Sequence, residues 1–235
     1  GGDGPLSVSD IGERNELIEA FIGGAGQCGV RRTDDFNGAQ QEGAGYYQLT
    51  TWKGWRWSTA KGYLGQARGR PNLRVQTEAQ AAGLVMDNRR AVGVRYRQGG
   101  QMKTARCRGE VLLAAGAIQS PQLLQLSGIG PAALLGRHGI AVVRDLPGVG
   151  ENLQDHLQIR LIYECSKPIS TNDALNSLFG QASLGMQWLF KRSGPLAVGI
   201  NQGGCFMRAL PDEAKTPDIQ FHVATLSAEM AGGKV

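Results

Sequence analysis

A short apolar run that ends at a glycine and leads into a helix constrains the fold of this chain most strongly. Residues 111–115 read Val-Leu-Leu-Ala-Ala, and Gly116 follows them. Ser120 and Pro121 then supply a capping hydroxyl and a proline suited to a first helical turn. A wholly apolar strand is typical of a parallel sheet with both faces buried. The pattern therefore predicts a strand, a glycine turn and a helix, which is where α/β sheets bind phosphate-bearing ligands.

Hydrophobic periodicity predicts further helices and strands on both sides of this segment. Helical spacing indicates one helix over 9–22, with Gly23 as its C-cap, and another over 175–190, capped by Thr171 or Asn172. Residues 35–58 are rich in glycine and aromatic side chains and are expected to be irregular. Alternation of apolar and polar residues predicts strands over 73–79, 140–143, 204–208 and 218–224, and a hairpin over 91–108 that turns at 98–100.

These elements predict a mixed α/β chain in two parts. The first part contains the buried parallel strand, and the second packs a helix on an antiparallel sheet. The loop 145–150 is fixed by proline and glycine, and we expect the transition between the parts just after it. We set the boundary between residues 155 and 156.

Glycine content and charge exclude some classes of protein. Glycine supplies 35 of the 235 residues, about twice the usual share, without a three-residue period, so a collagen is excluded. The formal net charge is +5, and the only dense basic group lies on the predicted hairpin, between Arg89 and Arg108. A solvated face is the simpler interpretation, but a non-catalytic module that binds an acidic partner through this hairpin stays an alternative. Because Tyr96 is the only aromatic residue among these charges, we expect no nucleic-acid partner.

The remaining composition favours a cytoplasmic protein. The four cysteines are far apart, with no Cys-x-x-Cys pair and no neighbouring pair of histidines, so neither a metal site nor a disulfide framework is expected. No apolar stretch approaches the roughly 20 residues that span a bilayer, and no signal peptide is recognisable.

Residues 24–29 spell the G-x-G-x-x-G pattern of dinucleotide-binding loops. That loop requires a buried strand before it and a helix after it, so that the pyrophosphate meets a helix amino terminus. Here an amphipathic helix precedes the pattern, and polar residues follow it. We therefore interpret the match as incidental, which leaves an NAD dehydrogenase as a third and weaker hypothesis.

Residues 116–130 closely resemble the second signature segment of the glucose–methanol–choline (GMC) family of FAD-dependent alcohol oxidoreductases. Further blocks resemble the family in the same order along the chain: 35–38 with 41–43, 70–73, 90–94, 146–156 and 217–221. The resemblance covers essentially the whole chain and is nearest to the choline-dehydrogenase-like branch of the family.

The resemblance implies FAD as cofactor and a primary alcohol as substrate, with transfer of a hydride to the flavin nitrogen N5. It implies that residues 1–155 belong to a Rossmann-type FAD-binding domain and residues 156–235 begin a substrate-binding domain. The family's dinucleotide fingerprint then precedes residue 1 and its catalytic histidine follows residue 235, so that the chain is a middle fragment. Neither the alcohol, nor the electron acceptor, nor the choice between oxidase and dehydrogenase is predicted.

The resemblance also implies contacts for individual residues. Ala81, where the family usually has valine, is expected to meet the adenine through its backbone. Ala115 and Gly116 are expected beside the dinucleotide, and Asn201 on the substrate side. None of the three histidines is expected to be the catalytic base; they are His138, His156 and His222.

The aromatic cluster of Tyr46, Tyr47, Trp52, Trp55 and Trp57 allows two interpretations. It could form a cage for a quaternary ammonium group. Packing of an irregular loop onto the domain is the simpler expectation.

Overall fold

In the computed structural model, which describes residues 3–227, the chain divides into two packed units. Of the described residues, one unit contains 3–73 and 160–227, and the other contains 74–159. Because these units are defined by packing alone, the expected assignment of 1–155 to a cofactor domain and 156–235 to a substrate domain stays a prediction.

The described residues form helices and strands in alternation, which confirms the mixed α/β class. The helices are α1 (Glu16–Gln27), α2 (Gly65–Ala67), α3 (Gly116–Leu126), α4 (Ala132–Arg137), α5 (Thr171–Leu175) and α6 (Leu178–Lys191). A π-helical turn spans Ala60–Leu64 and a 3₁₀ turn spans Pro195–Ala197. The strands are β1 (Gly43–Tyr46), β2 (Thr51–Trp52), β3 (Trp55–Arg56), β4 (Gln80–Asp87), β5 (Arg90–Gln98), β6 (Gln101–Arg106), β7 (Ile129–Gly130), β8 (Arg144–Asp145), β9 (Asn201–Met207) and β10 (Ile219–Ala224).

The core of the first unit lies between α1 and an antiparallel sheet in the order β1-β9-β10. Ile18 and Ile22 of α1 are buried against Ala44 of β1 and Cys205 of β9. Ala44 and Cys205 are paired neighbours on these adjacent strands. Burial raises the pKa of the Cys205 thiol. The antiparallel pairing of β9 with β10 confirms the sheet predicted for the second part of the chain. The helix that packs on this sheet is α1 and not the predicted helix over 175–190, and β1 also comes from the first part.

Glycines allow unusually close packing on both faces of this sheet. A Cβ added at Gly203 would lie 2.6 Å from Ile18 Cγ2, so the absence of a side chain lets α1 approach the central strand. On the opposite face, a Cβ at Gly45 would collide with the carbonyl oxygen of Thr33. The chain around Arg32 crosses there and bridges to Ala44.

The Gly24–Gly29 pattern lies at the end of α1 instead of the start of a helix. The amide of Val30 donates to Ala25 O and that of Gly29 to Gly26 O, both at 3.0 Å, and Gly29 has φ +84°. This is a Schellman cap. The pattern therefore stops a helix and offers no helix amino terminus to a pyrophosphate, which overturns the NAD dehydrogenase hypothesis.

Three further predictions about this unit need correction. Helix α1 starts at Glu16, capped by Asn15 Oδ1, and continues past Gly23. The long helix over 175–190 is two helices, since Ser170 caps α5 and Ser177 caps α6, each through its hydroxyl. The stretch 35–58 contains the short strands β1, β2 and β3; the two glycines of β1 and the two-residue length of β2 and β3 gave no alternating pattern. The predicted strands over 204–208 and 218–224 are confirmed as β9 and β10.

Predictions in the second unit succeed for the hairpin and fail for three neighbouring segments. Strands β5 and β6 are joined by Gly99 and Gly100, both with positive φ, as a two-residue type I′ turn requires. The expected strand over 73–79 is absent and β4 begins at Gln80 instead. The expected strand over 140–143 is displaced to β8, which pairs in parallel with β7.

The apolar run 111–115 does not form a strand in the structure. Leu112 is 80% exposed, and no strand within residues 3–227 pairs with this run. An apolar pattern indicates that a segment is to be buried, but a strand also needs a neighbouring strand to which its backbone can hydrogen-bond. The described residues provide no such neighbour for residues 111–115. Helix α3 also begins at Gly116, four residues before the expected Ser120, with Pro121 inside it.

We predict that a methyl group at Gly45 destabilises the first unit. Gly45→Ala should lower the free energy of unfolding by about 1–3 kcal/mol, because the added Cβ forces β1 away from Thr33. Urea denaturation followed by circular dichroism measures the change.

Gly23→Ala is the matched control, because Gly23 lies inside α1 with no heavy atom within 4 Å of an added Cβ. This variant should be stabilised by up to about 1 kcal/mol, since alanine is the better helix former. Equal effects of the two substitutions would contradict the packing described for the sheet.

Candidate functional site

Helix α3 is anchored to the sheet of the second unit through its carboxyl end. Ser127, which caps α3, accepts a hydrogen bond from the Leu84 amide of β4 at 2.8 Å and donates to Leu123 O at 2.6 Å. Leu84 and Leu123 are both buried. One hydroxyl therefore joins the end of the helix to the β4-β5-β6 sheet and fixes where the opposite end of the helix points.

The amino end of α3 is exposed and presents unpaired backbone groups. Gly116 has φ +89°, and no heavy atom of the described chain lies within 4 Å of the position that its Cβ would take. The Ala115 amide donates to Ser120 Oγ at 3.0 Å, and no side chain caps the first turn of the helix. The first turn also carries no acidic residue. Because the positive end of the helix dipole lies here, this end favours an anionic group.

A groove runs along the same helix. Its volume is about 570 Å³, and it lies between α3 and residues 150–154. Gln125 of α3 donates through Nε2 to Val149 O at 2.9 Å and holds the following loop in place. Gly150 has φ +88°, a backbone conformation that strains residues with a Cβ, and a Cβ there would lie 2.7 Å from that Nε2 atom. The side chains that line the groove on the helix are Ala117, Ile118, Pro121, Gln122 and Gln125.

The residues expected to contact ligands fall in both units. Ala81 is exposed on β4, opposite Tyr96, beside a bulge between Ala81 and Gly83. Ala115 and Gly116 form the amino end of the helix that packs on β4. Asn201 lies in the first unit, where it is exposed at the start of β9 and pairs with Ala224. The ligand contacts of all four residues stay predictions.

The aromatic cluster does not converge on one cage. Tyr46 and Tyr47 are adjacent in sequence and serve different contacts: Tyr46 Oη accepts from the Asn15 amide, and Tyr47 packs 5.2 Å from Phe36 between ring centroids. The tryptophan rings already make cation–π contacts with lysine side chains of the same chain. Lys53 Nζ lies 4.4 Å from the Trp52 ring centroid, and Lys61 Nζ lies 5.3 Å from that of Trp55. These contacts favour the packing interpretation.

All three histidines are exposed, and the expectation that none of them is the catalytic base stays a prediction. His138 is exposed as the C-cap of α4. The amide of exposed His156 donates to Asp155 Oδ1 at 2.8 Å, so that contact involves the backbone and not the imidazole. His222 is exposed on β10, with its ring 5.5 Å from that of Tyr47.

The basic hairpin is a solvent-facing sheet edge. All six residues of β6 are exposed, and Arg90 uses its guanidinium to bind the carbonyl oxygens of Arg108 and Gly109 within the same hairpin. Within residues 3–227, no helix combines the length and apolar character needed to cross a bilayer.

Comparison with known proteins identifies the family. The family model described as GMC oxidoreductase matches residues 3–158. The chain belongs to the GMC oxidoreductase family. Oxygen-dependent choline dehydrogenase of Serratia proteamaculans is 50% identical over 236 residues, which cover 99% of this chain and 42% of that protein. The corresponding protein of Ectopseudomonas mendocina is 48% identical, with 99% and 41% covered.

Solved GMC-like structures share the fold of this chain. Pyridoxine 4-oxidase from Mesorbium loti has a TM-score of 0.77 at 25% identity, covering 96% of this chain and 40% of that chain. The chain thus spans about two fifths of the length of the proteins that it matches. The match to the family along the chain confirms the resemblance seen in the sequence, and none of these comparisons supports a module that binds acidic partners.

Two features of this site were not predicted from the sequence. The anchoring role of Ser127 depends on a contact with Leu84, 43 residues away, which no local pattern reveals. The groove depends on the loop after β8 folding back onto α3 through Gln125. The paired glycines 148 and 150 were recognised as a family block, but their spacing alone does not show which helix the loop meets.

We predict that Ser127→Ala destabilises the second unit. The substitution leaves the amide of Leu84 without its acceptor and should cost about 1–3 kcal/mol of unfolding free energy. Ser183→Ala on α6 is the control, since Ser183 is exposed and makes no hydrogen bond to the described chain through its side chain. Chemical denaturation measures both, and a Ser127 variant as stable as the Ser183 variant would contradict the anchor.

Proposed function

We propose that this chain is part of an FAD-dependent oxidoreductase that acts on the CH–OH group of a primary alcohol. The observation that carries the proposal is the exposed amino end of α3 at Gly116, within a chain that belongs to the GMC oxidoreductase family. The relatives named choline dehydrogenase support an alcohol as the substrate class.

The residues at the amino end of α3 fit an FAD phosphate. The open space at Gly116 admits a ligand against the backbone, and the unpaired amides of the first turn suit an anion. Ala115 holds this turn through its bond to Ser120. FAD, when bound, supplies the acceptor for the hydride that leaves the alcohol carbon.

Other residues have positioning and recognition roles in this proposal. Ala81 contacts the adenine through its backbone, which its small side chain leaves accessible. Asn201 lines the substrate side, where its amide could bind the alcohol through hydrogen bonds. No residue of this chain is proposed as the catalytic base, and the electron acceptor is left open. The cytoplasmic location also stays a prediction.

We predict that Gly116→Ala lowers the FAD content of the complete gene product. The positive φ at Gly116 strains an alanine, and the methyl group would occupy the space assigned to the cofactor. Absorbance near 450 nm per protein molecule should fall severalfold. Gly136→Ala is the control, because Gly136 lies inside α4 with open space around its added Cβ, and its FAD content should not change. Unchanged FAD in both variants would contradict the assignment.

We also predict that the 235-residue chain alone binds FAD weakly and does not oxidise alcohols. The chain spans 42% of its choline dehydrogenase relative, and the family's dinucleotide fingerprint and catalytic histidine are expected outside it. Thermal unfolding with and without FAD should give the same midpoint. A clear FAD-dependent rise, or reduction of a dye in the presence of an alcohol, would show that these residues suffice.

A further inference from the structure

Helix α6 exposes an apolar face to solvent. At about 3.6 residues per turn, positions 178, 179, 182, 186, 189 and 190 fall within one arc of about 120° around the helix. The large side chains on this arc are mostly exposed: Leu178 and Phe179 at 85%, Met186 at 57%, Leu189 at 56% and Phe190 at 78%. An exposed apolar patch of this kind marks an interaction site.

The four tryptophans of the chain lie together beside this helix. Trp188 of α6, which lies outside the exposed arc, packs edge-on against Trp55 with the ring centroids 4.8 Å apart. Lys61 Nζ lies 5.3 Å from the ring centroid of Trp55 and 6.0 Å from that of Trp57. The Trp57 ring in turn packs 5.1 Å from that of Trp52, between centroids. Residues 52–61 and α6 form what we term the tryptophan surface.

The charge of the tryptophan surface is positive. Residues 43–77 and 174–211 contain no Asp or Glu. Two carboxylates from another segment adjoin the surface, those of Asp10 and Glu13, and each accepts a hydrogen bond from a glutamine amide. They are outnumbered by the exposed cations of the surface, which are Lys53, Arg56, Lys61 and Lys191. The surface therefore complements a negatively charged partner.

We propose that the tryptophan surface binds the face of a bilayer that contains anionic lipids, with α6 lying in the plane of the membrane. The exposed side chains of α6 enter the boundary between headgroups and acyl chains. The tryptophans lie at the level of the headgroups, where an apolar ring with a polar N–H is favoured. The lysines pair with lipid phosphates. This proposal goes beyond the oxidoreductase function and does not depend on it.

The exposed face of α6 favours a lipid over a nucleic acid as the anionic partner. Tryptophans and lysines would suit either, because bases also stack on aromatic rings. A nucleic acid offers no apolar phase, however, in which side chains such as Leu178 and Phe190 are buried. With 14 residues, α6 is about 21 Å long, which suits a helix that lies on a bilayer.

Sedimentation of the complete gene product with lipid vesicles tests this proposal. The protein should sediment with vesicles of phosphatidylglycerol and phosphatidylcholine, and should bind vesicles of phosphatidylcholine alone at least tenfold more weakly. Added salt should weaken binding to the anionic vesicles, because ions screen the lysines from the lipid phosphates.

Two pairs of variants separate the apolar contribution from the charged one. Leu189→Ser should weaken vesicle binding severalfold, whereas Leu210→Ser, equally exposed at 56% but outside the tryptophan surface, should bind normally. Lys61→Gln should weaken binding to the anionic vesicles about fivefold. Lys103→Gln, which removes the same charge from the exposed strand β6, should not. Circular dichroism checks the folding of all four variants.

Four results would overturn the proposal. Absence of binding to anionic vesicles would assign the exposed face of α6 to packing within the complete gene product. Binding unchanged by Leu189→Ser would remove the role of α6, and equal losses in Lys61→Gln and Lys103→Gln would remove the distinction from the basic hairpin. Tighter binding of a single-stranded oligonucleotide than of vesicles, weakened by Lys61→Gln and not by Leu189→Ser, would assign a nucleic-acid partner.

Discussion

The first unit is organised by the packing of α1 against a sheet whose central strand has a glycine beneath the helix. Ile18 lies directly over Gly203, and its burial is complete. Burying such a side chain contributes roughly 1.5–3 kcal/mol, and only a central strand with glycine at this position lets the helix approach closely enough. The same helix is tied to the chain that covers the opposite face, because Arg32 pairs with Glu19 at 2.9 Å. Hydrogen bonds from Arg32 and Arg14 lower the pKa of Glu19 from 4.5 to about 2.

Glycine has a related role at the candidate cofactor site. At Gly45 and Gly203 the missing side chain makes room for the protein itself, whereas at Gly116 the space stays open to solvent. Gly128 ends α3 with φ +82°, and a Cβ there would lie 2.8 Å from Val143 Cγ2. The high glycine content therefore has two physical uses in this chain: close contact between protein segments, and backbone exposed where a ligand can approach.

The elements that could be predicted from the sequence are those fixed by residues close to one another along the chain. The hairpin turn at Gly99 and Gly100 and the alternating strand β10 both depend on neighbouring residues. The run 111–115 was misread because its pattern demands burial but cannot say whether partner strands are present. Strand β1 was missed because its glycines reflect contacts with residue 33 and not strand propensity. At the site, Gly116 was found from its place before a helix, whereas Ser127 and the groove depend on distant pairings.

The central claim is that the amino end of α3 belongs to the FAD site of a GMC oxidoreductase. A crystal structure of the complete gene product with FAD bound tests this most directly. We predict that backbone atoms of Ala115 and Gly116 contact the dinucleotide and that Ala81 contacts its adenine. A structure in which the protein covers Gly116 and FAD binds away from α3 would contradict the account.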